Sequence, residues 1–302
     1  MSRPRVLFVG ISTGGSLAHR AFPRWMELLG ADAVLESADL APGSGERAYR
    51  ELVRRIRDDD GILGAVITSH KLAVHRAARD LLAPGDPYVD ALGEVNAIAG
   101  ATAHARDPLA VAAVLPRITG GTVPPEVLCL GGGGAGLAVV VSLLWERAGS
   151  ALLPRAAVPR RVVVTDARAA RVADVQARLR ALPPTGAAVT VVGAERNAGE
   201  LARLGERALV VNATGLGKDA PGSPLPPGAR FPAPAVAWDA NYRGELAFLR
   251  EAGAQPGVRA HDGWTYFVHG WAQALAPILG LRVDEALVGA MAEVAAPLRS
   301  AA

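Results

Sequence analysis

The chain has 302 residues, half of them hydrophobic and a fifth charged, with a formal net charge of +3 and a single cysteine. This composition excludes a disordered chain, and the length suits two α/β domains better than one small core. The lone Cys129 excludes a disulfide scaffold and predicts a reducing, cytoplasmic compartment. Because the basic residues are dispersed among acids and glycines interrupt the longest apolar run, we expect neither nucleic acid nor a membrane as a partner.

In the first half of the chain, strand-like and helix-like runs alternate. The predicted strands cover 5–11, 33–40 and 63–68, and the predicted helices cover 17–29, 44–59 and 72–82. Two short extended pieces follow at 94–99 and 102–106, and a helix then runs from 107 to about 117. Asp107 and Pro108 suit the start of that helix, because aspartate can cap a helix and proline fits its first turn.

A run of threonine, glycine and proline at 119–125 predicts a linker, and a second alternating series follows it. Its predicted strands are 127–130, 161–166, 188–192, 208–212, 235–241 and 258–261, and its helices are 134–149, 169–182, 198–207 and 245–253. Two closing helices, 265–279 and 283–299, are predicted to pack back on the first domain. The alternation predicts an α/β fold with parallel sheets. We expect an N-terminal domain formed by 1–118 with about 270–302, and a Rossmann-type doubly wound domain formed by 119–269.

A glycine-rich turn follows the strand at 127–130 and opens the next helix. Glycines there let the backbone approach a pyrophosphate, whose charge then lies on the helix N-terminus. The candidate cofactor-binding residues of this turn are Gly131, Gly133, Gly134 and Ala135. The turn predicts a dinucleotide site, with a turn that serves packing alone as the alternative.

The strand after this turn ends in Asp166. An acid at that place accepts hydrogen bonds from the adenosine ribose and repels a 2′-phosphate, which favours NAD over NADP. Asp166 lies 32 residues after Gly134 (166 − 134), beyond the usual spacing of about 20, and we attribute the excess to a proline- and alanine-rich loop at 150–160. Arg168 is close enough to bind a 2′-phosphate, so NADP is the alternative.

Five segments, in order and spread over nearly the whole chain, resemble the shikimate/quinate dehydrogenase family. They are 10–22, 64–71, 93–98 with Asp107, 131–136, and 212–214 followed by 239–242 and 262–263. The resemblance implies a substrate-binding catalytic domain followed by an NAD(P)-binding domain. It further implies an oxidoreductase that transfers hydride between nicotinamide and the hydroxyl or ketone of a small shikimate- or cyclitol-like molecule.

By this resemblance, Lys71 and Asp107 are the catalytic pair. A lysine beside a bound hydroxyl can take its proton while hydride leaves for the nicotinamide, and a carboxylate orients the ammonium. Lys71 is one of only two lysines among 32 basic residues, and lysine, unlike arginine, can lose its proton when desolvated. A plain helix cap is the alternative role of Asp107.

The resemblance implies further contacts on the cofactor side. Asn212 and Thr214 follow a strand that approaches the nicotinamide in the family, and Gly263 matches a glycine near that ring. The NADP-dependent members carry Asn-Arg-Thr where this chain has Asp-Ala-Arg at 166–168, which strengthens the expectation of NAD.

On the substrate side the resemblance implies contacts by Ser16, Asn96 and Tyr242, with a turn residue as the alternative for Asn96. Here the chain also departs from the family pattern. The Ser-x-Ser pair that holds the substrate carboxylate lacks its second serine, which is Ala18. Three further positions, which carry a threonine, an asparagine and a glutamine in the family, are occupied here by Ile67, Ala65 and Gly270. Each buried polar group that loses its partner costs about 1–3 kcal/mol, so we expect a natural substrate other than shikimate. Replacement contacts could come from His19, Arg20, His70 or Gln273.

Several other interpretations stay open. One is an ordinary shikimate or quinate dehydrogenase with a rebuilt carboxylate site, and another is a non-catalytic sensor of quinate-like metabolites. The histidine spacings match no metal site, so we expect no metal. The aromatic cluster of one closing helix indicates core or a subunit contact, with a pocket wall as the alternative for Trp264 and Tyr266; its members are Trp264, Tyr266, Phe267 and Trp271. For His70 we expect a surface position at a strand end, with a catalytic role as the alternative. We expect a monomer or a homodimer.

Overall fold

The computed structural model describes residues 3–144, 158–182, 185–218 and 220–299. The chain divides into two compact units, the first formed by 1–107 with 268–302 and the second by 108–267. The sequence places these boundaries at 118 and about 270, so the two divisions differ mainly in the helix that opens at Asp107. The predicted helix beyond residue 144 and the predicted loop as far as residue 157 lie outside the described residues.

Strands and helices alternate in both units, as the sequence predicts. The strands are β1 (Arg5–Gly10), β2 (Val34–Asp39), β3 (Ile62–Ile67), β4 (Ala83–Pro84), β5 (Ala97–Ala99), β6 (Thr102–His104), β7 (Glu126–Leu130), β8 (Arg161–Asp166), β9 (Ala188–Gly193), β10 (Ala208–Asn212), β11 (Ala235–Asp239) and β12 (Val258–His261). The helices are α1 (Ala18–Leu29), α2 (Glu46–Asp58), α3 (Lys71–Ala78), α4 (Tyr88–Leu92), α5 (Asp107–Thr119), α6 (Gly134–Leu144), α7 (Ala169–Ala181), α8 (Asn197–Leu201), α9 (Ala247–Gly253), α10 (Trp264–Leu279) and α11 (Glu285–Arg299). Among the described helices, none combines the length and the apolar character needed to cross a membrane.

The described strands of the first unit form a mixed sheet in the order β2-β1-β3-β5-β6-β4. β1 is parallel to β2 and β3, but β5 is antiparallel to both β3 and β6. The prediction of parallel pairing is therefore wrong for this part of the sheet. Only Gly100 and Ala101 join β5 to β6, and so short a connection can link only antiparallel neighbours.

An aromatic cluster around Trp271 packs the closing helices against the first sheet. The Trp271 ring lies 5.0 Å from that of Phe8 in β1, and 6.5 and 5.6 Å from those of Phe22 and Trp25 in α1, between centroids. The Trp25 indole N–H donates to the main-chain carbonyl of Met291 at 2.9 Å. Removing a buried ring of this size costs about 3–5 kcal/mol. The predicted packing of the closing helices on the first unit is confirmed, and Trp271 is a core residue.

The described strands of the second unit form a parallel sheet in the order β12-β11-β10-β7-β8-β9. The chain steps outwards from β7 to β9, returns to the centre, and steps the other way from β10 to β12. This confirms the Rossmann-type doubly wound fold, in which ligands bind at the carboxyl ends of the strands where the order reverses. In this unit the reversal lies between β7 and β10.

The predicted helix at 198–207 is wrong in its length, because α8 ends at Leu201. The N–H of Gly205 donates to the buried Glu126 carboxylate at 2.6 Å, and Arg207 adopts a φ of 60°. Both features are incompatible with a helix that continues to β10.

Candidate active site

Lys71 and Asp107 form a hydrogen-bonded ion pair in the first unit. Lys71 is the first residue of α3, just after β3, and Asp107 is the first residue of α5. The Lys71 Nζ donates to the Asp107 Oδ2, and the two side chains are only 15% and 8% exposed. The pair that the sequence predicts is therefore brought together although 36 residues separate its members.

Asn96 completes this cluster from the segment that leads into β5. Its Nδ2 donates to the Asp107 Oδ1 at 2.5 Å, and its Oδ1 accepts the main-chain N–H of Arg106 at 2.9 Å. Its own carbonyl accepts the N–H of Ile67 at 2.8 Å. Asn96 therefore serves local backbone, which is its alternative role, and also orients the Asp107 carboxylate. Its contact with the substrate stays a prediction from the resemblance.

The electrostatics of the cluster keep Lys71 protonated. Burial lowers the pKa of Lys71, but the negative charges of Asp107 and of the buried Glu94, together with the hydrogen bond to Asp107, raise it further than burial lowers it. The net pKa of Lys71 is above its ordinary value. An ammonium held in this way can donate a proton to an oxygen that gains negative charge, and can take the proton back in the reverse direction.

His70 fixes the backbone immediately before Lys71. It is half-buried and adopts the left-handed conformation, with a φ of 67°. Its Nε2 lies 3.0 Å from the Leu40 carbonyl, and its Nδ1 lies 2.9 Å from the Tyr49 hydroxyl. A carbonyl only accepts, so Nε2 carries the proton and Nδ1 accepts from tyrosine. His70 is thus held between two elements, not free at the surface of a strand end.

The other two predicted substrate contacts, Ser16 and Tyr242, each take part in contacts within their own unit. The Ser16 hydroxyl accepts the main-chain N–H of Ala18 at 3.3 Å, a local bond at the start of α1. Tyr242 belongs to the second unit, where its ring lies 4.5 Å from that of Phe267 and 5.8 Å from that of Trp264, between centroids. Both roles stay predictions from the resemblance.

In the second unit, the glycine-rich turn lies at the carboxyl end of β7, beside the loop that follows β10. Gly131 has a φ of 108°, and a Cβ there would lie 2.8 Å from the Ala213 carbonyl. A Cβ at Gly136 would lie 1.9 Å from the Gly131 carbonyl oxygen, whereas one at Gly133 would meet nothing within 4 Å. The backbone therefore turns as tightly as the sequence predicts and borders open space at Gly133, just before α6. The turn fits a dinucleotide, whose diphosphate needs close backbone approach at a helix N-terminus.

Asp166 backs this turn from the end of β8. Its Oδ2 accepts the N–H of Gly132 at 3.0 Å, and its Oδ1 accepts the N–H of Arg168 at 2.9 Å. The side chain of Arg168 is 67% exposed, with its Nε 3.5 Å from the same carboxylate. The acid is thereby fixed beside the turn, as binding of a ribose would require.

A buried polar network links the loops after β10 and β11. The Asn212 Nδ2 donates to the Asp239 Oδ2 at 3.0 Å, while its Oδ1 accepts the Thr214 hydroxyl at 2.6 Å. The Asn241 Nδ2 donates to the Thr214 carbonyl at 3.0 Å. Burial raises the pKa of Asp239 to about 6, although its hydrogen bonds to Asn241 and Asn212 oppose this. Sequence reasoning included 239 in a motif but gave it no role, because the role depends on its burial.

Gly263 permits the next loop to join this network. A Cβ there would lie 2.1 Å from the Ala240 carbonyl oxygen, so only glycine fits. The candidate residues Asn212, Thr214 and Gly263 are thus brought to one edge of the second sheet. Within the described residues, no group of three or more His, Cys, Asp or Glu side chains could hold a metal ion.

Comparisons with known proteins identify the fold. No family model and no curated protein matches the sequence. Among solved structures, the quinate dehydrogenase from Corynebacterium glutamicum in complex with NAD is similar with a TM-score of 0.74 and 20% identity, over 96% of this chain and 98% of that one. The shikimate 5-dehydrogenase from Thermus thermophilus in complex with shikimate is similar with a TM-score of 0.70 and 22% identity, over 98% and 99%. The shikimate 5-dehydrogenase from Listeria monocytogenes in complex with shikimate and NAD gives 0.73 and 17%, over 96% of each chain. The fold of this chain is therefore that of shikimate and quinate dehydrogenases.

Proposed function

We propose that this chain is a member of the shikimate/quinate dehydrogenase family and acts as an NAD(P)-dependent oxidoreductase on the hydroxyl or ketone of a small shikimate- or cyclitol-like molecule. The observation that carries the proposal is the buried Lys71–Asp107–Asn96 cluster. In this proposal the first unit holds the substrate and the second holds the cofactor. The protein acts in the cytoplasm, as a monomer or homodimer.

Lys71 is the general acid/base of the proposed reaction. In the reductive direction its ammonium donates a proton to the carbonyl oxygen of the substrate, and in the oxidative direction the amine takes the proton of the hydroxyl. Asp107 orients the ammonium, and Asn96 fixes Asp107. Because the pKa of Lys71 is raised, the ammonium is the resting form near neutrality, and alcohol oxidation should accelerate as the pH rises. Ser16 and Tyr242 are proposed substrate contacts.

The cofactor is proposed to be NAD, with NADP as the alternative. When bound, it accepts or supplies the hydride. The residues proposed to hold its diphosphate are Gly131, Gly133, Gly134 and Ala135, and those proposed near the nicotinamide are Asn212, Thr214 and Gly263. The fixed carboxylate of Asp166 supports NAD, because a 2′-phosphate beside it would be repelled. Arg168 is the group that would favour NADP.

The natural substrate is proposed to differ from shikimate. Ala18 provides no hydroxyl, and the one on Ser16 accepts the N–H of its helix start. The rival proposal is an ordinary shikimate or quinate dehydrogenase whose carboxylate site has been rebuilt from other side chains.

A substrate panel tests the proposal. Shikimate, quinate, aminoshikimate and carboxylate-free cyclitols are each offered with NAD and with NADP, and the absorbance of reduced nicotinamide is followed. Turnover of one of these molecules with NAD supports the proposal, and a strong preference for shikimate with NADP would favour the rival and contradict the role given to Asp166. Tight ligand binding without hydride transfer for any member would indicate a metabolite sensor instead.

A further inference from the structure

Arg106, the residue before Asp107, is half-buried, and among the described residues its guanidinium donates hydrogen bonds to one neutral side chain. Its Nε and Nη2 donate to the Oε1 of Gln273 in α10, at 3.2 and 3.0 Å. Burial lowers the pKa of Arg106, although the negative charge of Asp86, which is not hydrogen-bonded to it, opposes this. Within the described residues, no carboxylate forms an ion pair with Arg106.

The other arginines of similar exposure are balanced by acids in direct contact. Among the described residues, these pairs are Arg5 with Glu36 and Asp59, Arg50 with Asp80, Arg161 with Glu126 and Glu200, and Arg171 and Arg178 with Asp174. A partly buried cation with no carboxylate in direct contact is costly to keep, because it loses part of its water and no ion pair replaces it. Such groups concentrate at binding sites, where a ligand supplies the missing charge.

The geometry of the guanidinium specifies the shape of that ligand. Of its five N–H donors, Gln273 takes one from Nε and one from Nη2. The edge formed by Nη1 and Nη2 keeps two roughly parallel N–H bonds that have no partner in the described part of the chain. Two parallel donors on a planar cation match the two oxygens of a carboxylate.

The position of Arg106 is fixed relative to the catalytic cluster. Its main-chain N–H donates to the Asn96 Oδ1 at 2.9 Å, and the same asparagine holds Asp107. Gly270 lies one helical turn before Gln273 on α10, and a Cβ there would meet nothing within 4 Å. The helix face beside the Arg106–Gln273 pair therefore borders open space.

We propose that Arg106, held by Gln273, binds the carboxylate of the substrate and replaces the hydroxyl that Ala18 lacks. The assignment of a carboxylate-bearing substrate rests on the proposed function, and it narrows the substrate class by excluding the neutral cyclitols. Sequence reasoning considered other basic residues and Gln273 for this role but not Arg106, which is one of many arginines until its contacts are known.

The test is isothermal titration calorimetry on the full chain without cofactor, with shikimate and quinate and the methyl ester of each. For Arg106→Gln, we expect the affinity for the acids to fall about tenfold to a hundredfold while that for the esters changes little. Gln273→Glu places an internal carboxylate against the guanidinium. It should therefore lower the affinity for the acids by a similar factor and raise the melting temperature of the protein. The exposed arginine of the same unit, Arg79, provides the control Arg79→Gln, which should change neither affinity.

The proposal is overturned if the wild type binds the acids no more tightly than the esters, if it binds neither acid, or if Gln273→Glu leaves the ratio of acid to ester affinity unchanged. Gln273→Glu decides the matter should Arg106→Gln fail to fold. Because calorimetry needs no hydride transfer, carboxylate binding that depends on Arg106 would stand even if the panel showed no turnover. Turnover without such binding would leave the proposed function intact and remove only this inference.

Discussion

The candidate site of the first unit is formed by side chains, and that of the second unit mainly by backbone. In the first unit, charged and polar side chains meet from the start of α3, the segment before β5 and the start of α5, and hydrogen bonds join them. In the second unit, the site is largely backbone, and glycines let the loops at the carboxyl ends of parallel strands approach each other to atomic contact. The first site depends on the charges of its side chains. The second depends on glycines, which have no Cβ atom and so leave room for the neighbouring backbone. The first site should therefore be disrupted by substitutions that remove a charge, and the second by substitutions that add a side chain.

The largest expected effect is on turnover by Lys71→Met and Lys71→Arg. Methionine removes the titratable amine and arginine keeps a charge that cannot be released near neutrality, so both should lower turnover about a hundredfold or more. Affinity for NAD, measured by calorimetry, should persist, since the turn is untouched. The matched control is Lys218→Met, which removes the other lysine and should stay within about twofold of wild type. Near-normal turnover by Lys71→Met would refute the assignment.

A methyl group should disrupt the second site where no charge changes. Gly136→Ala places a Cβ 1.9 Å from a carbonyl oxygen of the turn, and we expect a loss of about 2 kcal/mol or more in the free energy of unfolding. The control is Gly199→Ala in α8, another helical glycine, whose Cβ would meet nothing within 4 Å. That change should stabilise by about 0.5–1 kcal/mol. Similar urea midpoints for the two variants would contradict the close approach.

In the second unit, the charge of Asp239 should affect the free energy of unfolding in a way that depends on pH. The pKa of Asp239 is raised to about 6, whereas it is about 3.9 in an unfolded chain. A raised pKa stabilises the fold below about pH 4, and this contribution is lost as the pH rises through 6. Relative to Asp239→Asn, the wild type should therefore lose roughly 2 kcal/mol of unfolding free energy between pH 4 and 7. Denaturant titrations of both proteins between pH 4 and 7 measure this difference. If the unfolding free energies of the two proteins changed with pH in parallel, Asp239 would not titrate in this range.

The smallest expected effect is on cofactor choice. Asp166→Asn removes the charge that repels a 2′-phosphate and keeps an oxygen for the Gly132 N–H. The ratio of the NADP and NAD dissociation constants should move towards NADP by about tenfold, or roughly 1.4 kcal/mol. Adding Arg168→Gln should reverse much of this shift. An unchanged ratio would mean that neither side chain contacts the ribose.

Sequence patterns predict the strands that have a long hydrophobic run and the site residues that have a distinctive side-chain chemistry. β8, β10 and β12 lie within the predicted bounds, and Lys71 and Asp107 meet as expected, whereas nothing in the sequence predicts the bond from Asn96 to Asp107. What failed depends on local geometry. The five residues of α4 and the two of β4 are too short to show a periodicity, and the antiparallel turn at Gly100 follows from a two-residue connection.

Contacts between distant parts of the chain set another limit. Arg106 and Gln273 are 167 residues apart, and nothing in either neighbourhood indicates their hydrogen bond. The left-handed backbone of His70 is similarly invisible in the sequence, because its partners Tyr49 and Leu40 lie on other elements. Burial decides these roles, and burial is known only once the fold is known.

The conformation of His70 links the backbone before Lys71 to a second helix, α2. A non-glycine residue in the left-handed region is held there at a cost of about 1–2 kcal/mol, and at His70 one of the restraining bonds comes from Tyr49 in α2. If α2 opens transiently, we expect this restraint to be lost while the Leu40 bond remains, so that the first turn of α3 is held less firmly. We therefore expect the position of Lys71 to respond to the opening equilibrium of α2, which amide hydrogen exchange measures directly.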